Sequence, residues 1–149
     1  SQYASALAKN LAAIAPGDLD MVFLGSSGSE AMEAAIKVDD ALVDALHDRG
    51  FTIAIESNGT LAAHPGIDWI CVSPKAGSDV VQRSGHELKL VWPQPGGGHS
   101  LADVDAMARW AFAHHLIQPL DDAHAAIALV MDRPQWRLTV QAHKYLGLR

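Results

Sequence analysis

One cysteine in 149 residues excludes an internal disulfide, and it leaves the chain unable to offer three thiolates to an iron–sulfur cluster. No Lys/Arg cluster stands out among 11 basic and 17 acidic residues, so the electrostatic footprint of a nucleic-acid binder is missing. The apolar runs are too short and too interrupted for a bilayer span, which needs about 20 residues. The start, "SQYASALAKNLAAIAPG", lacks a basic region followed by an apolar one, so no signal peptide is read there and a cytoplasmic location is expected. The eight histidines show no zinc spacing: His114-His115 enters a strand, and His64, His86, His99 and His124 read as loop or exposed helix-start residues. "GSSGS" is not a G-x-S-x-G nucleophile elbow. Cys71 lies inside an apolar strand, which argues against a Cys/His nucleophile.

What remains is an ordinary globular composition, 49% hydrophobic and 19% charged with a net charge of −6, long enough for one domain with a core. Tyr3, Leu7, Leu11 and Ile14 recur at helical spacing up to Pro16-Gly17, and "LDMVFLG" reads as a short buried strand. Ser29 and Glu30 then open an interrupted helical stretch to Gly50, with Asp39-Asp40 as an internal cap or seam. Beyond it the spacing predicts strands over 51–56, 68–73, 87–92, 115–118 and 136–141. Helices are predicted over about 101–112 and 122–132, with Asp121 capping the second. Such alternation argues for an α/β domain with a mainly parallel sheet, open or a partial barrel. A full eight-stranded barrel is excluded by length, since it takes about 250 residues.

In parallel α/β folds ligands bind outside the carboxyl ends of the strands. Glu56 and Asn58 follow the first clean strand, Ser73 and Lys75 the second, Gln118 and Asp121 the fourth, and Gln141, His143 and Lys144 the last. Singly each has an ordinary explanation; "SNG" at 57–59, for example, is a common turn. Repetition on one edge is what favours a polar-ligand site. "GSSGSE" at 25–30 is a second candidate, because a Gly/Ser loop at a helix start presents free N–H groups to an anion.

From Asp40 to Arg149 the sequence resembles the C-terminal half of the 7-carboxy-7-deazaguanine synthases, a radical S-adenosylmethionine family. The matching stretches are "DDALVDALHDRGFTIAIESNGTLAA", "GIDWICVSPKAG", "ELKLVWPQ", "LIQPLD" and "WRLTVQAHKYLGLR". The resemblance implies an incomplete TIM-like barrel that contracts 6-carboxy-5,6,7,8-tetrahydropterin to a 7-deazapurine on the queuosine pathway. It also implies S-adenosylmethionine, a [4Fe–4S] cluster and Mg2+ as cofactors. It assigns Glu56, Ser73, Pro74, Lys75, Gln118, Pro119, Leu120 and Asp121 to S-adenosylmethionine, and His143 with the carboxylate of Arg149 to the substrate. The family's three-cysteine motif and "GGEP" turn have no counterpart here, so the resemblance implies a fragment inactive by itself.

Residues 1–38 are similar instead to class III pyridoxal-phosphate aminotransferases, through "SGSEAMEAAIK", with Gly28 and Ser29 at the cofactor phosphate. The expectation is therefore a single α/β domain over 1–149 with a seam near 38–40. No resident metal site, nucleic acid or membrane partner is expected. A short sheet with a free edge makes a homodimer possible. Pyridoxal phosphate, or a chimeric chain without activity, is the alternative functional reading.

Overall fold

The structure, a computed structural model, describes residues 40–94, 96–120 and 122–141. The chain divides into two units, Ser1–Lys37 and Val38–Arg149, and every described residue belongs to the second. Their order is α1 (Asp40–Asp48), β1 (Ala54–Ser57), β2 (Trp69–Val72), β3 (Ser84–Val91), α2 (Leu101–Met107), β4 (Ala111–Gln118), α3 (Ala123–Asp132) and β5 (Trp136–Leu138).

The helices begin and end where local chemistry dictates. Asp40 favours the positive end of α1 and His47 its negative end. At the C-terminus Gly50 takes φ +80, so that its N–H reaches the carbonyl of His47 at 2.8 Å while that of Phe51 reaches Leu46 at 3.1 Å. This paired closure is the Schellman motif, which favours glycine for its left-handed backbone. Ser100 caps α2 reciprocally: its hydroxyl accepts from the Asp103 N–H at 3.2 Å, and Asp103 accepts from the Ser100 N–H at 2.8 Å. The cap of α3 is Asp122, accepting from the Ala125 N–H at 3.1 Å, and not Asp121, which lies outside the described residues.

The five strands form one sheet in the order β1-β2-β3-β4-β5, every neighbouring pair parallel. Neighbours in the sheet are thus neighbours in sequence, and nowhere does the order reverse as it does in doubly wound sheets. Helices fill the β3–β4 and β4–β5 connections, whereas β1–β2 and β2–β3 are joined by helix-free segments.

Register explains where the core sits. Ser57, Val72, Leu88, His115 and Trp136 form one row across all five strands, with Leu90 and Ile117 paired two residues further on. Val72, Leu88, Leu90 and Ile117 are fully buried, and so is Val104 of α2; Ala126 and Leu129 of α3 join the same cluster. Each such aliphatic side chain stabilises the fold by about 1.5–3 kcal/mol relative to exposure.

Several boundaries depart from expectation. The helix after Ser100 stops at Met107, and the Ala-rich "AFAH" predicted to be helix end and loop is the start of β4. His86 lies inside β3, not in a loop. Strand β5 ends at Leu138, three residues early, although the Thr139 N–H still reaches the Ile117 carbonyl at 2.9 Å.

Candidate functional site

Because all five strands are parallel, their carboxyl ends lie along one rim. That rim gathers Glu56 and Ser57 from β1, Ser73, Pro74 and Lys75 after β2, and Gln118, Pro119 and Leu120 from β4 and beyond. Gln141 follows β5 there as well, with its amide oxygen buried and without a hydrogen-bond partner among the described residues. Asp121, His143, Lys144, Arg149, Gly28 and Ser29 lie outside the described residues.

The side chains at these strand ends have different surroundings. The Asn58 amide oxygen accepts from the Thr60 N–H at 3.0 Å and the Thr60 hydroxyl at 2.8 Å, so the side chain is committed to a turn. Gly59 is required at that turn. It takes φ +78, and a Cβ there would sit 2.6 Å from Val72 Cγ1. Glu56 and Lys75 are exposed, while Pro74 and Gln118 are buried. Lys75 makes no ion pair among the described residues.

A second row lies one residue before the apolar one and therefore on the opposite face of the sheet. It comprises Glu56, Cys71, Glu87 and His114. Lys89, two residues beyond Glu87, reaches back across β2 to Glu56, with Nζ 2.6 Å from Oε1. Strands two apart are separated by roughly 10 Å, which a lysine stem can bridge. The pair encloses Cys71. Burial pushes that thiol up to about 12, Glu56 and Glu87 add to the rise, and Lys89 opposes it. Cys71 is therefore a neutral thiol at physiological pH, without the charge of a nucleophile.

Sequence reasoning missed Glu87 and Lys89. The signal was present in "ELKLVW": a strand in a parallel sheet with both faces covered reads as a continuous apolar run, and here charges alternate with leucines. It also dismissed His99, which is buried with Nε2 3.1 Å from the Pro74 carbonyl; nothing in "GGGHS" announces that contact.

No protein-family model matches the chain. Curated proteins do. A 7-carboxy-7-deazaguanine synthase of Bradyrhizobium diazoefficiens is 47% identical over an alignment that takes in 99% of this chain and 70% of the relative. The chain belongs to the 7-carboxy-7-deazaguanine synthase family. The proteins of that name from Bordetella pertussis and Caulobacter vibrioides are 48% and 51% identical over 89% and 78% of the chain. The chain spans 61% and 56% of those two synthases. These alignments correct the reading of residues 1–38. One that covers 99% of the chain leaves no room for an unmatched segment of that length, so the synthase family extends through it and the aminotransferase resemblance is not supported.

The family resemblance implied a cluster, S-adenosylmethionine and Mg2+. The residues here do not fit a [4Fe–4S] cluster, since a single, buried cysteine cannot supply its set of thiolates. Among the described residues no group of three or more His, Cys, Asp or Glu could hold a metal ion. The rim carries an exposed carboxylate, a cation and short polar groups, which a ligand with an amine, a carboxylate and hydroxyls would call for. No helix among the described residues is long and apolar enough to cross a membrane.

Proposed function

We propose that this chain supplies the S-adenosylmethionine- and pterin-binding part of a 7-carboxy-7-deazaguanine synthase, acting on 6-carboxy-5,6,7,8-tetrahydropterin, and that its sheet is a section of an incomplete barrel. The observation that carries the reading is the single rim of strand ends along which Glu56, Ser73, Lys75 and Gln118 lie. Strictly sequential parallel order supports the barrel, because singly wound barrels keep it throughout and bind ligands at this rim.

The roles follow from the groups. Glu56, exposed at its tip and steadied by Lys89, is suited to accept from ribose hydroxyls or the methionine amine. Lys75 offers the complementary charge to a carboxylate. The Ser73 hydroxyl and the buried Gln118 amide add directional bonds at the two ends of the ligand. His143 and Arg149 would face the pterin. Bound S-adenosylmethionine supplies the family's hydrogen-abstracting chemistry, and this chain's part is to bind and orient it. The electron-supplying cluster has no set of ligands in these 149 residues.

Amide spectra of the isotopically labelled chain, free and titrated with S-adenosylmethionine, test the reading. Expected shifts cluster at Glu56, Ser73 to Lys75 and Gln118. Saturable shifts elsewhere, or a spectrum that does not move at millimolar ligand, would sink it. Iron–sulfide reconstitution of the isolated chain should give no protein-bound cluster absorbance.

A further inference from the structure

The Ser73–Pro74–Lys75 segment has left the β-ladder, so its backbone must find partners elsewhere. Three anchors hold it. The Ser73 N–H donates to the Ser57 carbonyl at 2.7 Å, extending the β1–β2 pairing by one residue. The Lys75 carbonyl accepts from the Ser78 N–H at 3.1 Å and hydroxyl at 2.7 Å, a local turn. Between them the Pro74 carbonyl is met by His99, 25 residues away and 7% exposed, at 3.1 Å from Nε2. A carbonyl can only accept, so His99 carries its proton on Nε2.

His99 is itself held on both sides. Before it the chain turns through Gly96 at φ +82 and Gly97 at φ +135, and a Cβ on Gly98 would meet that of Gln94 at 2.7 Å. After it, Ser100 is fixed by its reciprocal cap with Asp103. The imidazole thus ties the start of α2 to the loop between β2 and β3, a link between two connections that the sheet does not make.

We propose that His99 is the positioning residue for the Ser73–Lys75 segment, setting the Ser73 hydroxyl and Lys75 ammonium for S-adenosylmethionine. This rests on the ligand reading above. The two can fail separately. Glutamine places its amide nitrogen close to where Nε2 lies, whereas asparagine reaches only as far as Nδ1.

The test compares amide spectra of the labelled full chain as wild type, His99→Gln and His99→Asn, free and titrated with S-adenosylmethionine. Glutamine should bind within about threefold of wild type, and asparagine about tenfold more weakly, the size of one lost hydrogen bond. Without ligand, the Ser73, Lys75 and Ala76 amides should move in the asparagine variant and stay in the glutamine one. Equal affinities for the two variants, or asparagine spectra unmoved at 73–76, overturn the positioning role. A wild-type chain that ignores S-adenosylmethionine overturns the ligand reading instead, and the anchor then stands or falls on the free amides.

Discussion

Two adjacent rows of the sheet, offset by one residue, have opposite characters. Ser57, Val72, Leu88 and Trp136, with the half-buried His115, make the mainly buried row, while Glu56, Cys71, Glu87 and His114 make the more polar one. A one-residue step crosses the sheet, so Leu88 is fully buried while Glu87 beside it is not. The lesson is that stability and chemistry are assigned to opposite faces of the same strands. A substitution's effect should depend on parity more than on position along the chain.

The strongest way to break this contrast is to exchange the consequences of neighbours. Leu88→Ala should lower unfolding free energy by about 2–5 kcal/mol, through lost burial and a residual cavity. Glu87→Gln, one residue earlier, should change it by roughly 0.5 kcal/mol or less. Urea unfolding of the two variants checks this, and similar midpoints would refute the assignment of faces.

Gly59→Ala comes next. The added methyl would meet Val72 of the buried row at 2.6 Å on a backbone of φ +78, so overpacking should cost about 1–3 kcal/mol. A thermal midpoint unchanged from wild type would show that the turn can relax.

The contrast also extends to pH, where the two rows should fail at opposite ends. Burial holds the His115 imidazole below its ordinary 6.5, with His114 adding to the depression and backbone carbonyls opposing it. Its Nε2 has no hydrogen-bond partner among the described residues. The unfolded chain therefore takes up the proton first, and stability should be lost as pH falls below about 6.5. Cys71 behaves conversely. Its thiol ionises near 9.0 when unfolded and near about 12 when folded, so stability should decline as pH rises between those values. Unfolding midpoints across pH should flatten at the acid end in His115→Leu and at the alkaline end in Cys71→Ala. The charges can be sharpened further: the alkylation profile of Cys71 should move to lower pH in Glu56→Gln and to higher pH in Lys89→Met.

Much of this was readable from residue order. Alternation of strands and helices predicted a parallel α/β sheet, and all five strands exist where apolar β-branched and aromatic residues cluster. Glu56, Ser73, Lys75 and Gln118 do share one rim, because strand direction alone decides that. What escaped was set by tertiary pairing. "AFAH" has the composition of a helix end, yet Ala111 and Phe112 pair with Ser84 and Gly85, and the ladder overrides propensity. Lys89 was hidden because its partner lies two strands away, and His99 because its partner is a backbone carbonyl, which no side-chain motif records.

Sequential strand order also determines how such a protein can change over evolutionary time. A sheet in which each strand pairs only with its predecessor and successor can gain or lose a unit at either end without rethreading the rest. Every added strand that keeps the direction brings its carboxyl end to the same rim. New ligand contacts would thus accumulate along an existing ledge, and the older ones would keep their places.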